Sequence, residues 1–112
     1  MAKYIILNLK GIHPKIISRK KSVKEKLDRC VNKSDFKYIK SFFHQFRPFG
    51  VTGIYMLRES HISIHTWPEK GFAVIDVFCC GDIKRSQKFI EYIKKEFKPT
   101  KIKKSATTIS SI

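Results

Sequence analysis

Acidic residues are scarce in this chain. Nine Asp and Glu stand against 24 Lys and Arg in 112 residues, a formal net charge of +15. So basic a chain invites a polyanionic partner. Most of the positive charge is lysine, spread over residues 10–26 and 84–104, and the same pattern clothes ordinary solvated helix faces. Apolar runs are also short, all well below the ~20 residues of a membrane span, and the opening Met1-Ala2-Lys3-Tyr4 leads straight into a strand-like segment without a hydrophobic leader. Those two absences predict a cytoplasmic protein. Cysteines number three, Cys30, Cys79 and Cys80, and neighbours in sequence rarely bridge each other, so reduced thiols are expected. Linkers, repeats and low-complexity stretches are missing as well. The chain is long enough for one core and too short for two, which predicts a single domain over residues 1–112.

What is present reads as alternating short elements. Tyr4 to Leu9 is an apolar run suited to a buried strand, ended by Gly11 and Pro14. Ser22, with Glu25 three residues on, is expected to cap a helix that turns Val23, Leu27, Cys30 and Val31 inward and stops near Asn32. Strands are expected over Phe36 to Phe46, Val51 to Leu57, Ile62 to Thr66 and Phe72 to Cys80, the middle two forming a hairpin around Arg58-Glu59-Ser60-His61. Ile83 to Phe97 has helical spacing in Phe89, Ile90, Ile93 and Phe97, and Lys101 to Ile109 reads as a weak last strand or tail. The order β-α-β-β-β-β-α implies an α/β protein of the α+β type, a two-layer sandwich whose mostly antiparallel sheet carries two helices on one face.

The densest chemistry lies between Arg58 and Asp82. A zinc site is disfavoured there. His61 and His65 share a strand face but lie ~13 Å apart at ~3.3 Å per residue, and the β-branched Ile62, Ile64 and Thr66 argue against the helix that would unite them. No Cys-x-x-Cys is present, so no metal is expected. Lys70-Gly71-Phe72-Ala73-Val74-Ile75-Asp76-Val77 looks like the octapeptide of RNA-recognition motifs, yet of the ring positions that would stack bases only Phe72 is aromatic. A non-catalytic basic RNA-binding module is therefore the weaker alternative.

The stretch Glu59-Ser60-His61-Ile62-Ser63-Ile64-His65-Thr66-Trp67-Pro68-Glu69, followed by Gly71-Phe72-Ala73, Asp76-Val77-Phe78 and Cys80-Gly81-Asp82, closely resembles the short prokaryotic S-adenosylmethionine decarboxylases. Upstream, His44-Gln45-Phe46, Pro48 and Gly50-Val51-Thr52-Gly53 are similar to the segment that precedes the hairpin in that family. A decarboxylase needs an electrophilic carbonyl to delocalise the carbanion left by carbon dioxide, and no ordinary side chain supplies one. The resemblance implies that the chain makes its own. Ser60 attacks the carbonyl of Glu59, the backbone is cut between them into a β chain of residues 1–59 and an α chain of residues 60–112, and a pyruvoyl group remains at residue 60.

That ketone is implied to form a Schiff base with S-adenosylmethionine and to yield the aminopropyl donor for spermidine. By the same match Thr52 and His65 assist self-processing, and Cys80 is the catalytic acid, a thiol being mostly protonated at neutral pH. Phe46, Trp67 and Glu69 match residues that line the substrate site. Arg47 and Phe49 depart from the family pattern beside Phe46 and keep arginine or ornithine as alternative substrates.

Alternation puts Cys79 with Ala73, Ile75 and Val77 on one face and Cys80 with Val74, Asp76 and Phe78 on the other. A two-residue turn at Glu59 and Ser60 would pair Ile54 with His65 and bring Thr52 to it diagonally. Five residues of extended strand, ~16 Å, separate Ser60 from His65. A homodimer resolves the separation, with active sites at the interface of an αββα sandwich as the resemblance implies. His61 and Ser63 are expected to serve that interface by packing and hydrogen bonding.

Overall fold

The structure, a computed structural model, describes residues 2–80 and 83–110. Gly81 and Asp82, which close the motif read from the sequence, lie outside the described residues. Elements follow in the order β1 (Ala2–Lys10), α1 (Pro14–Ile17), α2 (Lys20–Lys33), β2 (Tyr38–Gln45), β3 (Val51–Leu57), β4 (His61–Trp67), a 3-10 turn (Pro68–Lys70), β5 (Phe72–Cys80), α3 (Ile83–Phe97) and β6 (Lys101–Ile109). The strands form one six-stranded sheet in the order β2-β3-β4-β5-β1-β6, with every neighbouring pair antiparallel. The segment 101–109 is a full strand, paired with β1 from Ala2↔Ile109 to Lys10↔Lys101.

Period-two alternation decides which face meets the helices. In β5, Ala73, Ile75, Val77 and Cys79 are buried and the residues between them are partly open; in β4, Ile62, Ile64 and Thr66 are buried. Against that face α3 packs Phe89, Ile93 and Phe97, and α2 packs Val23, Leu27, Cys30 and Val31, the stripes that helical spacing predicts. Each buried Phe or Leu adds ~1.5–3 kcal/mol of hydrophobic stabilisation, so these stripes hold the two layers together.

Several local expectations change. Ser22 lies inside α2 and gives its hydroxyl to the Ile16 carbonyl at 2.8 Å. The helix start is instead capped from across the fold, where the Lys20 N–H donates to Oε1 of Gln45 at 2.6 Å. A local sequence rule cannot find a cap supplied by a distant strand. The second strand is shorter than Phe36 to Phe46, because Phe36 leaves the sheet to pack edge-on against Phe89 at 6.0 Å. α1 is an unpredicted single turn, begun by Pro14 and capped by the imidazole of His13.

The hairpin register also differs. Thr52 pairs directly with His65, and Ile54 pairs with Ser63. The turn is still two residues but lies one residue earlier, at Arg58 and Glu59, closed by the Leu57 N–H donating to the Ser60 carbonyl at 2.9 Å. A shift of two leaves every side chain on its predicted face.

Candidate active site

The sheet face away from the helices bears the predicted site residues in two groups. The first gathers at the β3–β4 loop, where Glu59 and Ser60 meet the end of β5. There the Cys80 thiol donates to the Glu59 carbonyl oxygen at 3.8 Å, a sulfur hydrogen bond to the very peptide that the family match marks for cutting. Cys79, one residue back, turns into the core, and burial raises its pKa. Only one thiol of the pair therefore faces the carbonyl, as alternation predicts.

The second group lies toward the other end of β3 and β4. Thr52 Oγ1 and His65 Nδ1 are 3.1 Å apart, paired straight across the two strands. They border a cleft of about 250 Å³ lined also by Phe46, Phe49, Trp67 and Glu69. His44 packs edge-on against Phe46 at 4.7 Å, and Trp67 rests against Phe72 at 5.7 Å. Phe49, a departure from the family pattern, is part of this wall.

The cleft is built by the chain's irregular parts. Gln45 donates through Nε2 to the carbonyls of Ser18, Phe46 and Gly50, at 2.9, 3.0 and 2.9 Å, so one amide ties the Phe46–Gly50 turn to the α1–α2 junction. Arg19 Nη1 donates to the Pro48 carbonyl at 2.9 Å from the same junction. On the opposite wall Thr66 accepts from the Val51 N–H at 2.9 Å and gives its hydroxyl to the Ile17 carbonyl at 2.8 Å. Gly71 ends the 3-10 turn in the left-handed region at φ 58, where an added Cβ would lie 2.9 Å from the Ile12 carbonyl oxygen. Glu69 is thereby presented at the rim beside Trp67.

Thus Glu59, Ser60 and Cys80 come together, and Phe46, Thr52, His65, Trp67 and Glu69 come together, but the two groups occupy different ends of one face. Between them sits a third constellation whose centre sequence reasoning missed. Asp76 accepts the hydroxyls of Ser63 and of Tyr4, the latter at 2.5 Å, and lies 3.8 Å from Nε2 of His61. Hydrogen bonding to Asp76, then burial, pushes the Tyr4 hydroxyl pKa upward. An isolated acid on the face that alternation assigns to Cys80 was the available signal.

The same face is open and apolar: Phe42 is 68% exposed, Met56 51%, Ile54 46% and Trp67 38%. So much apolar surface on one side of a sheet marks an interaction face.

Comparison with known proteins bears on what these groups are for. Residues 3–108 match the sequence profile of the family described as S-adenosylmethionine decarboxylase. The S-adenosylmethionine decarboxylase proenzyme of a Hydrogenobaculum species is 42% identical over 101 residues, covering 90% of this chain and 75% of that one. Its counterpart in Archaeoglobus fulgidus is 37% identical over 99 residues, covering 88% of each chain. In three dimensions the crystal structure of the adenosylmethionine decarboxylase of Aquifex aeolicus superposes with a TM-score of 0.91 at 33% identity, covering the whole of this chain and 95% of that one. A Trypanosoma brucei AdoMetDC monomer, at 17% identity and a TM-score of 0.71 over 44% of its length, shares the fold alone. These matches support neither arginine or ornithine as substrate nor a non-catalytic RNA-binding module.

Proposed function

We propose that the chain, which belongs to the S-adenosylmethionine decarboxylase family, cuts itself between Glu59 and Ser60 and decarboxylates S-adenosylmethionine with the pyruvoyl group left at residue 60. The observation that carries this reading is the Cys80 thiol lying 3.8 Å from the Glu59 carbonyl oxygen, because it sets a proton donor at the peptide the mechanism must open. The Ser60 hydroxyl adds to that carbonyl, and the Glu59 acyl group moves from nitrogen to oxygen. A base takes a proton from the α-carbon of residue 60, residues 1–59 depart as a carboxylate, and water releases the former Ser60 nitrogen as ammonia. Thr52 and His65, hydrogen-bonded at 3.1 Å, are read as the pair that activates the hydroxyl and moves the protons.

The residue-60 ketone supplies the electron-withdrawing carbonyl that ordinary side chains lack. Cys80, held at the end of β5 beside it, gives the proton that replaces carbon dioxide on the substrate. Phe46, with Phe49 and Trp67 around it, offers aromatic faces to the adenine and the sulfonium, and Glu69 accepts from ribose hydroxyls. The product is the aminopropyl donor for spermidine synthesis. The formal charge of +15 repels a cationic substrate at long range, but screening within ~8 Å at physiological ionic strength confines that effect to the encounter.

The working form is read as a homodimer of cut protomers. Thr52 and His65 of one protomer would meet Ser60 and Cys80 of the other across two facing sheets, and the exposed Phe42, Ile54 and Met56 supply the apolar surface for that contact. Three free thiols suit a reducing, cytoplasmic setting. Among the described residues no helix is long and apolar enough to cross a membrane.

An intact mass spectrum under denaturing conditions tests the proposal. Two chains are expected, residues 1–59 and 60–112, the second lighter than its sequence by the loss of the Ser60 nitrogen. A single chain that persists on incubation and matches Ser60→Ala overturns the reading.

A further inference from the structure

We propose that Asp76 is a positioning residue that holds the start of β4, and with it residue 60, in place once the chain has been cut. The inference rests on the self-cutting reading above. Before the cut, residue 60 is anchored on both sides: by its peptide bond to Glu59, and through His61 to β4. Afterwards the first anchor is gone. The ketone-bearing end hangs from His61 and from the bond between its own carbonyl and the Leu57 N–H, now in a separate chain.

The side chains around His61 form a clamp at that end. Its imidazole stacks on Phe78, ring centroids 5.8 Å apart and planes 18° from parallel, while Nε2 lies 3.8 Å from Oδ2 of Asp76. Two residues on, Ser63 donates its hydroxyl to Oδ1 of the same carboxylate. From β1, Tyr4 donates to Oδ2 at 2.5 Å, and its ring lies 6.3 Å from Phe78. Backbone pairing sets His61 opposite Phe78 and Ser63 opposite Asp76, with Ile6 of β1 on the other side of Asp76. One carboxylate therefore ties three strands. Both hydroxyls donate to it, and it is mostly covered, with 19% of its side chain exposed. Bonds of this charge-assisted kind are short and directional, which suits fixing a chain end better than apolar packing alone.

A reacting group displaced by about 1 Å costs on the order of 10²-fold in rate. Asp76→Asn keeps the shape and one acceptor oxygen but loses the charge and turns an acceptor into a donor. The chain is expected to cut to completion, and kcat of the cut protein to fall about 10- to 100-fold with KM changed far less. A second readout separates positioning from general folding. Amide hydrogen exchange over residues 61–63, followed by mass spectrometry, should rise in cut Asp76→Asn relative to cut wild type. It should stay unchanged when Asp76→Asn is placed in the uncut Ser60→Ala chain, where the peptide anchor persists. A merely structural role would raise exchange in both. The double variant Ser63→Ala with Tyr4→Phe, which leaves Asp76 but removes its two hydroxyl donors, carries the same test should Asp76→Asn not fold. Equal exchange and equal kcat in cut wild type and cut variants overturn the role of Asp76 and leave the self-cutting reading standing. A wild-type chain that never cuts overturns both.

Discussion

Thr52 and His65 face each other directly across β3 and β4, hydroxyl to imidazole at 3.1 Å, on the sheet face that carries no helix. A cross-strand pair is fixed by backbone register, so the imidazole keeps its partner without further support. If the hydroxyl helps open the Glu59–Ser60 peptide, Thr52→Val, which keeps the shape and removes the oxygen, slows self-cutting by about 10²-fold, and Thr52→Ser restores most of the rate. The fraction of cut chain in timed mass spectra measures this. Equal rates for the valine and serine variants would remove Thr52 from the mechanism.

The separation of this pair from Ser60 predicts complementation between protomers. Ser60→Ala and His65→Ala are each expected to remain uncut alone. Co-expressed, they form a mixed dimer in which one site joins Ser60 of the His65→Ala chain to His65 of the Ser60→Ala chain. With random association roughly half of the His65→Ala chains should then be cut. Ile54→Lys, on the exposed face, should yield monomers by light scattering and abolish cutting in either setting. Cutting by an Ile54→Lys monomer would instead confine the reaction to one protomer.

The three thiols divide by exposure. Cys30 is buried in α2, and burial, reinforced by the charge of Glu96, pushes its pKa up to about 12 from an ordinary value of 9.0. Cys79 moves in the same direction for the same first reason. Iodoacetamide at pH 8 is therefore expected to label Cys80 in the native protein and to reach Cys30 only on unfolding. The same shift carries a stability signature. Folded Cys30 holds its proton while the unfolded thiol loses it, so this contribution is complete below pH 9 and is lost as the pH rises toward 12. Cys30→Ala should flatten that alkaline decline in thermal melts. An unchanged decline would assign it to other groups, Tyr55 among them.

How far the sequence alone leads depends on how local each signal is. β3 begins after Gly50, β5 lies between Gly71 and Gly81, and α3 stops just before Pro99, so Gly and Pro in the chain itself mark these bounds, while β3 ends at Leu57 where its alternation ends. The cap of α2 is a different case, since its oxygen belongs to Gln45, a long way off in sequence. The hairpin register slipped by two residues because the tight turn closes through Leu57 and Ser60, around Arg58 and Glu59, one residue earlier than Glu59 and Ser60 would place it. Ser60, Cys80, Thr52, His65, Phe46 and Trp67 were legible as a family pattern, and their division into two separated groups followed from strand geometry. Asp76 was legible only as an acid on a strand face. Its importance lies in convergence on one point from β1, β4 and β5, which no spacing along the chain encodes.

Gly53 offers a test of the packing that supports the site. It lies on the helix side of β3, opposite Phe43 of β2, and an added Cβ would fall 2.2 Å from the Phe43 ring. That ring is held edge-on against Tyr55 at 5.5 Å, and Tyr55 is itself edge-on to Tyr38 at 5.1 Å with its hydroxyl given to Asp28. The ring therefore cannot retreat without disturbing a buried aromatic row. Gly53→Ala should cost about 1–3 kcal/mol through overpacking, lowering the melting temperature by roughly 5–15 °C in a domain of this size. The loss should shrink when Phe43→Leu is added, because the two residues share one space and their effects cannot be additive. Thermal melts of the two single variants and the double variant decide it. An additive double variant would show that the strain lies in the β3 backbone and not in the ring, and Thr52, the next residue on the opposite face, would then be expected to lose its alignment with His65 as well.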